Sequence, residues 1–314
     1  MGTIHYDARL SDDERRAALY RGDIFVHAPN RASLALAALA RGMIEEAFAP
    51  HDPRRIDQVM SMEECAAALA KLKPAFIHHP ECKRLLPEIV TALGGDPEEV
   101  HFDVPRLRSA YPEHYLTSGI AYAFHPHRDT WYSAPPCQIN WWLPVWEIEA
   151  RNGLAFYPRY FDEPTENSSE TYNYYEWNAK SRGNAAQHVK SDTRQQPKLT
   201  APIDQRDIRI IVPPGGMILF SAAQLHATVP NTSGLARYSI DFRTVHRGDA
   251  AAGRGAPNLD SRCTGTTMRD YLRCTDLAHL PEEIVARYDD GTAVTAGGQV
   301  VFAPTPAAAA APAA

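Results

Sequence analysis

Four residues of this chain have the types and spacing to do chemistry together: His127 and Asp129 in the triplet His127-Arg128-Asp129, then His226, then Arg237. Side chains two apart on a strand share a face, so His127 and Asp129 can point at one spot. His226 completes a set of two imidazoles and one carboxylate. Such a facial triad leaves positions open on a non-haem Fe(II). Arg237 lies eleven positions past His226, on the next strand-like run. Its planar fork suits a carboxylate through two parallel hydrogen bonds. Iron with open positions plus a carboxylate clamp points to an oxygenase that consumes 2-oxoglutarate and O2.

The triplet is not unique in a chain with 13 histidines: His5-Tyr6-Asp7 and His101-Phe102-Asp103 share it. The first precedes the expected core, and the second lacks the supporting pattern described below. His125 has the same strand parity as His127 and Asp129, so His125/His127 could form the H-x-H of a cupin metal site. No glutamate follows at the spacing such sites use, so Asp129 is the expected third ligand and His125 a neighbour. Arg128, between the ligands, belongs on the opposite face. Thr228, two past His226, shares its face and could add a hydroxyl donor. Ser239 shares parity with Arg237. Trp131, Trp141 and Trp142 are expected to wall the pocket.

The elements that must position these residues change character along the chain. The first hundred residues read as helical. Ser33 is the expected cap of a helix carrying Leu36, Leu39, Met43 and Ala47 and stopped by Pro50. Ser61-Met62-Glu63-Glu64 is a capping-box pattern before Cys65, Leu69 and Leu72. Leu86, Ile89, Val90 and Leu93 form a further stripe ended by Gly94-Gly95. From Val100 short β-rich runs follow: Val100–Val104, Gly119–Phe124, Gln138–Val145, Leu154–Tyr157, Ile208–Val212, Met217–Phe220 and Arg237–Val245. Such runs between turn signals suggest a sandwich or barrel. The polar stretch 162–207, with Tyr172, Tyr174, Tyr175 and Trp177, interrupts them. Its position predicts a partly mobile loop at the pocket mouth, where Lys190 and Arg194 could meet a polar or anionic substrate group.

The expected organisation is one domain over 1–303. Residues 1–99 form helical support, 100–246 the β core with its insertion, and 247–303 a C-terminal extension. The Pro/Ala-rich 304–314 reads as a disordered tail.

Composition bounds the partners. The chain has 314 residues, 44% of them hydrophobic, and a formal net charge of -6, with a pI near 6.1. A core is within reach, and no excess of basic charge invites nucleic acid. The acidic balance gives a small push away from a highly anionic substrate, which local charge could override. Five cysteines without C-x-x-C pairing fit a reducing cytoplasm. No apolar run approaches the roughly 20 residues of a membrane span, and residues 1–7 lack a secretion-signal pattern. The expectation is a cytoplasmic protein with a small-molecule substrate and no nucleic-acid or membrane partner, a homodimer being left open.

Context lifts the third triplet above the other two. Phe124 to Val145 reads FHPHRDTWYSAPPCQINWWLPV, followed by Asn152-Gly153-Leu154 through Pro158. Pro213 to Arg243 reads PPGGMILFSAAQLHATVPNTSGLARYSIDFR. From Gly119 to Val245 this order resembles the phytanoyl-CoA dioxygenase-like family of Fe(II)/2-oxoglutarate oxygenases, which includes ectoine hydroxylase. The resemblance implies a mainly β fold with a helical N-terminal region, its core a double-stranded β-helix (jelly-roll, cupin-like) flanked by helices. It places His127, Asp129 and His226 on Fe(II) and Arg237 on the far carboxylate of 2-oxoglutarate. Thr228 falls where the family often has Ser or Thr. Arg243, a rival clamp by parity, is too far from His226 for the family pattern. Halogenating relatives replace the carboxylate with a small residue, so Asp129 favours hydroxylation or another C–H oxidation. Two departures, Pro158-Arg159-Tyr160-Phe161 for P-G-S-H and Pro214-Gly215-Gly216 for P-G-D, fall outside the ligand positions. The implied substrate is a small polar metabolite or natural-product intermediate. Two further readings remain: a cupin-type metalloenzyme that does not use 2-oxoglutarate, and a catalytically silent ligand-binding barrel.

Overall fold

Capped helices build the N-terminal third of this chain in a computed structural model that describes residues 2–194 and 196–289. α1 (Asp12–Leu19) starts at Ser11, which exchanges hydrogen bonds with Glu14 in a capping box. α2 (Arg31–Phe48) starts at Asn30. Ser33, the expected cap, is the third helical residue, and its hydroxyl oxygen accepts a 2.9 Å bond from Asn30 N–H. The cap moves because Asn30 keeps an extended backbone that leaves its amide oxygen free to accept from Ser33 N–H. α3 (Met62–Ile77) has the expected Ser61/Glu64 box, and α4 (Pro80–Ala92) carries the Leu86, Ile89 and Val90 stripe.

Among the described residues there are eleven strands, named in chain order: β1 (Ile4–Tyr6), β2 (Ile24–His27), β3 (Val100–Phe102), β4 (Arg106–Ala110), β5 (Ile139–Pro144), β6 (Leu154–Phe156), β7 (Ile208–Ile210), β8 (Met217–Ser221), β9 (His226–Thr228), β10 (Arg237–His246) and β11 (Leu272–Arg273). The eight-stranded sheet runs β1-β2-β8-β5-β10-β3-β11, with β4 also paired to β10. A small sheet runs β7-β6-β9. β1 joins β2 in parallel, and the other pairs are antiparallel.

Two expectations need correction. The fold is mixed rather than mainly β, with 36% of it helical, because the strands are short and 3₁₀ turns fill the connections between them. Gly119–Phe124 is not a strand: it opens with a 3₁₀ turn, Gly119–Ala121. Gly119 has φ +57°, and a Cβ there would lie 2.3 Å from Ala185 O. Only glycine permits both that backbone and that approach.

The main core lies between α2–α4 and the large sheet, where Leu36, Phe48, Leu69, Phe76 and Leu86 meet Leu219, Ile240 and Phe242. On the other side of the sheet, Trp142, Ile218 and Phe220 pack against Leu154, Phe156 and Ile210 of the small sheet. The two sheets therefore face each other as layers, as alternating side chains require. β10 belongs to both environments, with Tyr238 and Ile240 in the core and Arg237, Asp241 and Arg243 on the opposite side.

The insertion contains α5 (Tyr174–Lys180). α6 (Arg247–Ala252) and α7 (Glu282–Val285) complete the helices. The expected Pro/Ala tail and residues 290–303 of the C-terminal extension lie outside the described residues. Among the described residues, no helix is long and apolar enough to cross a membrane.

Ile240 is fully buried, whereas Leu34 is 49% exposed. Ile240→Ala is expected to cost about 2–5 kcal/mol and Leu34→Ala less than about 0.5, read by chemical denaturation.

Candidate metal and carboxylate site

Backbone pairing brings the two histidines together. His127 and His226 exchange both N–H···O bonds, at 2.9 and 3.0 Å, as an isolated antiparallel bridge. His226 opens β9, so the small sheet carries one ligand candidate directly. His127 and Asp129 do not sit on a regular strand as the spacing predicts. Past the bridge the chain turns, Asp129 N–H bonds Ala222 O at 2.9 Å, and Asp129–Tyr132 is a 3₁₀ turn. The turn still delivers Asp129 to the histidines. Its Oδ1 lies 3.4 Å from His127 Nε2 and 3.9 Å from His226 Nε2. One ligand atom from each residue falls within 4.8 Å of the others, and all three residues are buried.

The remaining polar atoms of this trio are occupied. His127 Nδ1–H donates to His125 O at 2.8 Å, and His226 Nδ1–H to Gln224 O at 2.9 Å. These bonds leave each Nε2 with its lone pair facing Asp129, the tautomer a metal requires. Burial pushes His226 down to about 4, so its imidazole is neutral near pH 7. Burial alone would raise Asp129, but the Arg243 guanidinium and His127 pull it well below the usual carboxylate range. Asp129 Oδ2 accepts from Gln138 Nε2 at 3.0 Å and lies 3.6 Å from Arg243 Nε. Gln138 also donates to Asn140 and accepts from Tyr271, which orients its amide. A neutral His226 imidazole and an ionised Asp129 carboxylate are in the protonation states that a divalent cation needs, and with His127 Nε2 they form a donor set that fits one.

Gln138 was not anticipated. Its signal was available: Gln138, just before β5, and Asn140 within it are polar at alternate positions of an otherwise apolar run, where a polar group needs a partner.

Arg237 opens β10 and is 4% exposed. Its Nε donates to Asn152 O at 3.0 Å and its Nη1 to Ser239 Oγ at 2.6 Å. The guanidinium lies 5.6 Å from the Trp142 ring centre. Among the described residues no carboxylate comes within ion-pair distance of it, and burial pulls it down to about 10. Arg243 differs. Ion pairs with Asp103 (3.2 Å), Asp129 (3.6 Å) and Asp241 (3.7 Å) saturate it. Asp103 belongs to the triplet His101-Phe102-Asp103, whose carboxylate thus serves Arg243. Ser239 is a hydrogen-bond support for Arg237, and Thr228 lines the same cavity as Arg237.

That cavity measures about 910 Å³, and the three clustered residues and Arg237 all open onto it. The insertion supplies Tyr172, Tyr174, Trp177 and Arg194 to its wall. Arg194 is neutralised by Asp192 at 2.5 Å, and the exposed Lys190 faces Glu63 instead. Trp141 and Trp142 line the cavity, whereas Trp131 is fully buried elsewhere, its Nε1 on Asp260 at 2.7 Å. Arg128 turns away, as its parity implies, to Asp260 and the carbonyls of Ala223 and Glu163. His125 is exposed outside the cluster and contributes its backbone carbonyl, while His5 pairs with Asp23.

No protein-family model matches the chain, and no curated protein does. Solved structures with a similar course include EvdO2 from Micromonospora carbonacea var. aurantiaca, 15% identical over 78% of this chain and 94% of that one, with a TM-score of 0.44. A structure of EvdO2 complexed with 2-oxoglutarate is 14% identical over 76% and 92%, TM-score 0.43. AviO1 from Streptomyces viridochromogenes Tue57 is 14% identical over 80% and 100%, TM-score 0.38.

Removal of a clustered side chain is expected to abolish binding of Mn(II), measured by titration calorimetry, in His226→Ala and in Asp129→Ala. Gln138→Ala should retain binding but weaken it about 10–100-fold, because the carboxylate loses its orienting donor. Unchanged affinity in His226→Ala would remove it from the metal set.

Proposed function

We propose that this chain is an Fe(II)- and 2-oxoglutarate-dependent oxygenase that oxidises a C–H bond of a small metabolite or natural-product intermediate, most simply by hydroxylation. One observation carries the reading. A buried His127/Asp129/His226 cluster and a buried arginine, Arg237, with no carboxylate partner among the described residues open onto the same cavity. A desolvated guanidinium without an anion is costly, and a dicarboxylate reaching from the metal would complete it.

In this reading His127 Nε2, His226 Nε2 and Asp129 Oδ1 hold the metal. Arg237 binds the 5-carboxylate of 2-oxoglutarate, steadied by Asn152 O and Ser239 Oγ, with Thr228 as a further hydroxyl nearby. When bound, Fe(II) supplies activation of O2 coupled to decarboxylation of 2-oxoglutarate, giving succinate and CO2. Arg243 and Gln138 keep Asp129 ionised and aimed. The aromatic wall from the insertion limits water at the reacting end of the substrate. The paired layers, with the ligand cluster on one side and Arg237 on the facing strand, support a double-stranded β-helix as the underlying architecture. The order of the four residues supports membership of the phytanoyl-CoA dioxygenase-like group. The cupin-type reading is disfavoured because His125 lies outside the cluster.

Purified protein should form succinate from 2-oxoglutarate only with Fe(II), and His226→Ala should abolish it. Absence of succinate across a broad substrate panel, with Fe(II) bound, would favour a silent binding protein. Arg237→Lys keeps the charge but loses the fork, so the KM for 2-oxoglutarate should rise about tenfold or more. An unchanged KM there with a large rise in Arg243→Lys would move the clamp to Arg243. Trp177→Ala should damage oxidation of the true substrate more than uncoupled 2-oxoglutarate turnover, since Trp177 belongs to the insertion wall. Equal losses would exclude a substrate role for it.

A further inference from the structure

The charge of the cavity is opposite to that of the chain. Seven Arg and Lys residues line it against four Asp, whereas the whole chain is at -6. Asp192, just behind the wall, neutralises Arg194 and still leaves a positive excess. Fe(II) and doubly charged 2-oxoglutarate would cancel each other, so the excess is left for another ligand.

The excess is concentrated beside Arg237. Lys73 of α3 and Arg108 of β4 both line the cavity, and they repel each other. One carboxylate, Asp241, serves this corner. Arg108 holds it through Nε at 2.5 Å, and Arg243 approaches it at 3.7 Å. Lys73 donates one proton of its ammonium to Ile120 O, and among the described residues no carboxylate lies within ion-pair distance of it. An ammonium has three protons to donate. Arg108 is 32% exposed at its side chain, stacked 5.3 Å from the Phe124 ring centre, so its face is reachable.

Resting on the oxygenase reading, we infer that the substrate carries an anionic oxygen group, a carboxylate or phosphate, that docks between Lys73 and Arg108. Such a group relieves the repulsion between the two cations and meets donors already fixed in place. Burial and the neighbouring Arg108 push Lys73 down to about 7, so an arriving anion would also restore its full charge. The small push against anionic substrates expected from the net charge is therefore reversed locally.

The test uses the full chain loaded with Mn(II) and saturating 2-oxoglutarate. Phenylacetate and phenylacetamide, alike in size and different in charge, are titrated in while Mn(II) broadening of their proton signals reports proximity to the metal. The expected result is about tenfold tighter binding of phenylacetate, the scale of a charge-assisted contact. Lys73→Met and Arg108→Gln should each erase most of that preference. Lys73→Arg should keep it, as should Lys71→Gln on the exposed side of the same helix. If Lys73→Met does not fold, Arg108→Gln alone decides, loss supporting the site and retention overturning it. No preference in the parent protein, or one lost only in Arg237→Lys, also overturns it. Failure of 2-oxoglutarate to bind the Mn(II) protein would instead count against the oxygenase reading, which keeps the two failures distinct.

Discussion

Keeping a carboxylate ionised out of water is the constraint on which the rest of this structure depends. Asp129 is buried, and burial alone would favour its protonated, neutral form. Arg243 and Gln138 reverse that on one oxygen, leaving the other to face two imidazole nitrogens. Arg243 in turn is only partly exposed, 22% at its side chain, and is balanced by Asp103 and Asp241. The charges form a chain in which each member is tolerated because the next is present, and a break would leave a buried charge uncompensated.

The strand pairings place that chain of charges. β10 runs antiparallel to β5, with Asp241 opposite Trp142 and Arg243 opposite Asn140. It pairs on its other side with β4, which brings Arg108 opposite Ser239, and with β3, which leads into Asp103. One ten-residue strand thus carries Arg237, Asp241 and Arg243 toward the cavity while its alternate residues hold the core. A slip by one residue would exchange the two sets, so the apolar core enforces the electrostatic register.

Arg237 and Arg243 show how little a residue's type says about its use. They lie on the same strand with the same parity. Arg243 meets three carboxylates, and Arg237 meets a backbone carbonyl and a hydroxyl. The first is a finished interaction. The second has no carboxylate within ion-pair distance among the described residues, and that difference separates a structural arginine from a proposed ligand-binding one.

Several features were legible in the residues alone. The triplet, the distant histidine and the arginine eleven positions later identified four side chains that do open onto one cavity, although a turn and not strand parity brings Asp129 there. The Ser61 cap and the apolar stripes of α3 and α4 were readable because spacing is a local consequence of backbone geometry, whereas α2 buries Leu36, Ala40, Ile44 and Phe48 and leaves the expected Ala47 exposed. What the chain could not announce was long-range. Asp129 is delivered by a turn beneath Ala222 rather than by a strand. Gly119 opens a turn where a Cβ would collide with Ala185 O, and Trp131 faces Asp260 rather than the cavity. Gln138 and Asp103 serve Asp129 directly and through Arg243. Local pattern determines which side chains can act together, whereas burial and partners from distant segments decide which charges are satisfied and which await a ligand.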